Sequence, residues 1–174
     1  MFKLQEEVKT AGVAWIECGA LQFMAKESDF ASPFESGGVL LGYWSEDPRG
    51  PVVTHAVGPG PNAKHFRNRF VPDYAFHESE IARLYRHSGG TLQYLGDWHS
   101  HPGNAGLMSP SDRKTLYRIA RSREARAACP LMLIMAWGPQ WEPVAWTARR
   151  TRRSPCSSFT IEQWTISTFK SAKG

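Results

Sequence analysis

Thr91-Leu92-Gln93-Tyr94-Leu95-Gly96-Asp97-Trp98-His99-Ser100-His101-Pro102, followed by Ser109-Pro110-Ser111-Asp112, is the stretch around which the chain is organised. Its apolar lead, Thr91 to Leu95, lies between glycines and a proline and reads as a strand. Side chains two positions apart on a strand share a face, so His99 and His101 point into the same space. The carboxylate of Asp112 closes a third corner there if the intervening loop folds back. Three nitrogen and oxygen ligands with room for a water match a catalytic zinc site better than a closed structural one.

The residues after the loop start a helix. Ser109 suits the N-cap, Pro110 the first helical position and Asp112 the third. Leu116, Tyr117, Ile119 and Ala120 supply the apolar positions, and the pattern fades near Ala128. Capping by itself explains the residue types at Ser109 and Asp112. It does not explain a His-x-His at the end of the preceding strand. The combination carries the metal reading.

His99-Ser100-His101-Pro102, then Ser109 and Asp112 at their spacing, resembles the JAMM signature of the JAB/MPN-domain metalloproteases. That family also places a glutamate upstream, just before a glycine-rich strand, and Glu35-Ser36-Gly37-Gly38-Val39-Leu40-Leu41-Gly42 resembles that element. The likeness covers most of the chain in order. It is nearest to small prokaryotic JAB proteins, among them the deconjugase of some bacterial anti-phage operons.

The resemblance implies a zinc ion held by His99, His101 and Asp112, with Glu35 moving protons between water and the departing amine. It implies that Ser109 donates a hydrogen bond to the developing oxyanion. For an isolated glutamate beside glycines an ordinary loop acid is the commoner case, so the family pattern carries the Glu35 assignment. The implied reaction is cleavage of a ubiquitin-like modifier, or a similar C-terminal tail, from its conjugate by an isopeptidase. The alternatives are a processing or sulfur-carrier hydrolase that trims a ubiquitin-like precursor, and a non-catalytic MPN scaffold. Scaffolds of this type usually lack one or more ligands, whereas all three are present here. RadC-like proteins have a similar His-x-His-Pro region, but typically with Asn where this chain has Ser100, and without the Glu35 to Gly42 element. Partners would be ubiquitin-like proteins or their conjugates, with E1- or E2-like proteins. A substrate tail is expected to lie against Gly37 to Leu41 by β-addition, favouring small residues at the cut. The modifier's body would rest near Lys64, Arg67 and Arg69.

Composition sets the outer bounds. The 174 residues suit a single domain, read here as 1–174. No stretch approaches the ~18 apolar residues of a membrane span. Pro130 to Trp137, the longest apolar run, is a buried strand by length. Met1 to Glu7 has no basic-then-apolar leader pattern. Cys18, Cys129 and Cys156 are far apart and form no C-x-x-C pair, which argues against both a disulfide framework and a thiolate metal site. Together these point to a cytoplasmic protein. The net charge is +5, with basic residues at Arg149-Arg150-Thr151-Arg152-Arg153 and more loosely at Lys64, His65, Arg67 and Arg69. No nucleic-acid-binding motif accompanies them, so solvated basic loops are favoured over a phosphate-binding surface.

In chain order, strands are expected at Val13–Cys18, Gly37–Trp44, Pro51–Val57, Trp141–Ala148 and Ser158–Ser167. Helices are expected at Leu21–Ala31 and Tyr74–His87. Gly58 to Asn62 is a loop by composition. Helices falling between strands indicate α/β, a curved mixed β-sheet flanked by helices. The resemblance implies the cytidine-deaminase-like JAB/MPN fold. The sequence argues against a deaminase itself. His77-Glu78 is not its H-x-E, and Phe159 stands where Pro155-Cys156 would need a second cysteine. His55, His65, His77 and His87 read as surface or satisfied histidines, and Trp98 as core or site wall. Asp97 is read as pointing away from the ligand histidines.

Overall fold

The computed structural model describes residues 12–47, 49–103, 106–127, 129–151 and 158–171. Residues 1–11, Ala128, Cys156, Pro155, and Arg152 and Arg153 of the basic run lie outside them. The elements are β1 (Val13–Glu17), α1 (Cys18–Ala31), β2 (Gly37–Glu46), β3 (Arg49–Val57), β4 (Lys64–Phe66) and β5 (Arg69–Val71). They continue as α2 (Tyr74–His87), β6 (Gln93–His101), α3 (Pro110–Arg121), β7 (Leu131–Trp137), β8 (Trp141–Thr151) and β9 (Ser158–Phe169).

The expected curved mixed sheet is present, and its curvature runs to closure. Its strand order is β1-β3-β2-β6-β7-β8-β9, and β9 returns to pair in parallel with β1. β6 and β7 are also parallel, whereas β2 is antiparallel to both β3 and β6. One face of the sheet packs Ile16, Leu40, Val53, Trp98, Leu133 and Met135 with Ala20 and Met24 of α1. The other face carries the remaining helices. Phe76, Ile81 and Leu84 of α2 meet Val39, Leu41 and Val57, while Leu116 of α3 meets Met132, Ile134 and Ala148. β7 is therefore buried on both faces, which is why its sequence is an uninterrupted apolar run rather than an alternation.

Several strands run two or three residues beyond expectation, and three differences have a clear cause. α1 begins earlier, at Cys18, because the Glu17 carboxylate accepts a hydrogen bond from the Ala20 amide and caps it. α3 ends at Arg121 rather than near Ala128, because Ser122 turns to extended backbone and its amide bonds back to Arg118 and Ile119. β4 and β5, which look only like a loose basic cluster in sequence, form a separate two-stranded hairpin. Strands of three residues are too short for alternation to register.

Gly96 marks an irregularity in the pairing of β6 with β2, at a φ of 150° that L side chains rarely adopt. A Cβ there would lie inside contact distance of the Leu131 carbonyl oxygen on β7. Gly96→Ala is therefore expected to cost at least about 3 kcal/mol or to prevent folding, since neither backbone can yield. Urea unfolding checks it. A midpoint close to wild type would contradict this account of the β6–β7 contact.

Candidate metal centre

His99 and His101 stand at the carboxyl end of β6, between β2 and β7, with His101 opposite Ala136 in register. Past the irregularity at Gly96, Trp98 packs on the α1 side, so His99 and His101, one and three positions on, face the other side of the sheet. Asp112 reaches the same place from the first turn of α3. Ser109 and Asp112 form a reciprocal capping box: the Asp112 amide donates to Ser109 Oγ at 3.1 Å, and the Ser109 amide donates to Asp112 Oδ2 at 2.8 Å. The cap contributes ~1 kcal/mol, while burying Leu116 contributes roughly 2 kcal/mol. Packing thus holds α3 on the sheet, and the cap sets where its first carboxylate points.

The three side chains converge. His99 Nε2 and His101 Nε2 are 3.0 Å apart. Asp112 Oδ1 lies 3.4 Å from His99 Nε2, and Oδ2 lies 3.5 Å from His101 Nε2. Ligand atoms held at 2.0–2.1 Å around a tetrahedral zinc stand about 3.3 Å from one another. The donor set therefore fits one small divalent ion in both spacing and chemistry. Side-chain exposures of 12, 6 and 16% for His99, His101 and Asp112 leave the group reachable from solvent. A closed structural site would not need that access.

Glu35 lies within electrostatic reach of this group. Ser100 donates its amide to the Ser36 carbonyl at 2.8 Å, and the Ser36 amide donates to Ser100 Oγ at 3.0 Å. These bonds tie Ser36 to β6 just beyond the last ladder pair, Gly37 with His99, and so keep Glu35 near the ligand histidines. Burial raises the Glu35 carboxyl above its ordinary value, against the opposing pull of His101 and His99. Burial also pushes Asp112 up, but hydrogen bonds from the His101 and His99 rings and from Ser109 outweigh it. They hold that carboxyl far below the usual range.

At Gly37 and Gly38 it is neighbouring backbone that approaches closely, because a Cβ on Gly38 would collide with the Val57 carbonyl and one on Gly37 with the Trp98 carbonyl. Two expectations need correction. A tail cannot add along Gly37–Leu41, because β6 pairs with Gly37–Gly42 and β3 pairs from Val39 onward, so both sides of β2 are taken from Val39 on. Asp97 shares the face of His99 and His101 instead of pointing away, as its two-residue offset requires. Its buried carboxylate accepts the Tyr94 hydroxyl at 2.7 Å.

The other residues fall as expected, with one addition. Trp98 is core and donates its indole N–H to the Val57 carbonyl. His77 is buried and satisfied by the Gly58 carbonyl, and exposed His55 meets Thr54. His65 differs, because its Nδ1 meets the Glu35 carbonyl oxygen at 2.9 Å. Nothing local in the sequence connects positions thirty residues apart.

Comparison with known proteins places the chain in a family. Residues 19–153 match the family model of prokaryotic homologues of the JAB domain, a span that contains Glu35, His99, His101, Ser109 and Asp112. A probable metalloprotease of Sinorhizobium fredii is 41% identical over 142 residues, covering 80% of this chain and 86% of that protein. A CD-NTase/cGAS isopeptidase of Vibrio cholerae is 33% identical over 62% of this chain and 65% of its own length. One from Enterobacter hormaechei is 25% identical over 71% of this chain and 67% of its own. The solution structure of a Desulfitobacterium hafniense protein superposes with a TM-score of 0.65, covering 91% of this chain and 94% of that one at 16% identity, a likeness of fold.

Proposed function

This chain belongs to the prokaryotic homologues of the JAB domain, and we propose that it is a zinc isopeptidase that releases a ubiquitin-like modifier, or a similar protein tail, from the amine holding it. The observation that carries the reading is the convergence of His99 Nε2, His101 Nε2 and the Asp112 carboxylate, with Glu35 close enough to feel their charge. We read residues 1–174 as one catalytic unit.

His99, His101 and Asp112 would hold the zinc, which when bound polarises a carbonyl and lowers the pKa of water toward ~7. Glu35 takes the proton of the attacking water and returns it to the departing amine, so that amide and water become carboxylate and amine. Ser109 Oγ accepts the Asp112 amide, and its hydroxyl proton, directed at the Asp112 carboxylate in the metal-free protein, would turn to the oxyanion once that carboxylate holds the metal. The cap and the donor are therefore compatible jobs for one hydroxyl.

Ser109→Ala separates them by magnitude. A lost cap costs ~1 kcal/mol of stability, whereas a lost oxyanion donor costs about 10² in kcat. We expect both, the melting temperature falling by a few degrees and kcat by about 10². Full activity at a lowered melting temperature would leave Ser109 only a cap.

Isopeptide specificity is supported by the names borne by the Vibrio and Enterobacter relatives, and service alongside bacterial defence genes is part of the same reading. The test takes a ubiquitin-like protein encoded beside this gene and joins its tail to a lysine side chain and, separately, to a linear peptide. Zinc-dependent release from the lysine is the expected result. Cleavage of the linear form alone would move the assignment to precursor processing, and inertness toward both would favour a scaffold.

A further inference from the structure

Glu35 is held by its main chain from outside the barrel. Its amide donates to the Phe66 carbonyl of β4 at 2.8 Å, as one half of an antiparallel strand pair would. The other half of that pair would be a backbone amide donating to the Glu35 carbonyl. Instead the imidazole of His65, on the same short strand, sits 2.9 Å from that oxygen through Nδ1. A carbonyl oxygen only accepts, so Nδ1 must carry the proton. The ring is half-buried and packs tilted against Phe70 of β5, with centroids 5.6 Å apart. One residue on, Ser36 is tied to the ligand strand through Ser100. The peptide unit joining Glu35 to Ser36 is thus fixed on one side by a histidine side chain and on the other by the strand that carries His99 and His101.

We infer that His65 is a positioning residue for Glu35: its Nδ1–H clamps the Glu35 carbonyl so that the carboxylate stays aimed at the His99, His101 and Asp112 group. The inference rests on Glu35 being the proton carrier proposed above. His65 itself touches no ligand atom in that group and has no part in holding metal. Releasing the carbonyl frees the peptide plane to rotate, and a small rotation there swings the carboxylate away from the centre. Misplacement of a reacting group by about 1 Å can cost on the order of 10² in rate.

The experiment compares zinc-loaded wild type with His65→Leu, His65→Asn and His65→Gln. Asparagine places an amide N–H on Cγ, where Nδ1 is, whereas glutamine places it one bond further out. His65→Leu is expected to lower kcat between 10- and 100-fold with KM and zinc content near wild type, His65→Asn to recover most of the loss, and His65→Gln little of it. A second readout needs no substrate. Long-range 15N spectra should find His65 protonated at Nδ1, and hydrogen exchange should find the Glu35 and Ser36 amides less protected in His65→Leu and restored in His65→Asn. An Nδ1 without its proton, or asparagine no better than leucine in amide protection, would overturn the clamp. Intact spectroscopic signatures with a wild type inert toward every conjugate would instead count against the hydrolase reading. A clamp present by spectroscopy but without effect on kcat would overturn the positioning role.

Discussion

His101→Ala is expected to lose its zinc and its activity together, from about one ion per chain to nearly none. The His99, His101 and Asp112 donors fit a single ion, and removing one of three protein ligands leaves too few to hold it. Lewis-acid stabilisation is worth several kcal/mol, and each ~1.4 kcal/mol is tenfold in rate, so turnover should fall by 10³ or more. Asp112→Asn is the sharper partner variant. Its amide oxygen can still accept the Ser109 N–H, so α3 keeps that bond while the carboxylate is gone. Elemental analysis and cleavage assays on the same preparations decide it. A metal-free wild type that still cleaves would end the metalloprotease mechanism.

Glu35→Gln should separate chemistry from metal binding. Glutamine keeps the shape but cannot carry the proton, so kcat is expected to fall by about 10²–10⁴ with zinc content unchanged. Stability should move the other way. Burial raises the Glu35 pKa from its ordinary 4.5, so in this range the folded protein binds the proton more tightly than the unfolded chain. The contribution of this group to stability is therefore full below the ordinary value and declines as pH rises through the folded one. In zinc-depleted protein, Glu35→Gln is expected to melt above wild type at about pH 7–8, the gap closing toward about pH 4. Calorimetry across that range checks the sign, and a wild type that is the more stable at neutral pH would contradict it.

Much of the site is legible in the sequence because its parts are local or periodic. The i, i+2 histidines of a strand end must share a face, and Ser109-Pro110-Ser111-Asp112 must start a helix. Both follow from backbone geometry alone. The helix from Tyr74 to His87 and the doubly buried run from Leu131 to Ala136 were equally readable, since each pattern directly reflects which faces are covered. Glu35 was reachable only through family likeness, because no local rule separates it from an ordinary loop acid.

What only the tertiary structure decided depends on residues far apart in the chain. Closure of the sheet needs β9 to find β1, a pairing no window of sequence contains. The occupied sides of β2 removed it as a docking strand, and the fold alone shows that the Val57 and Trp98 carbonyls are what approach Gly38 and Gly37. His65 is the clearest case. As a residue it is one histidine among six, and its bond to the Glu35 carbonyl exists because a three-residue hairpin strand folds back against the start of β2. Local chemistry is written in neighbouring residues. Long-range contact is set by how the whole chain minimises its exposed apolar surface, so it appears only once the fold is formed.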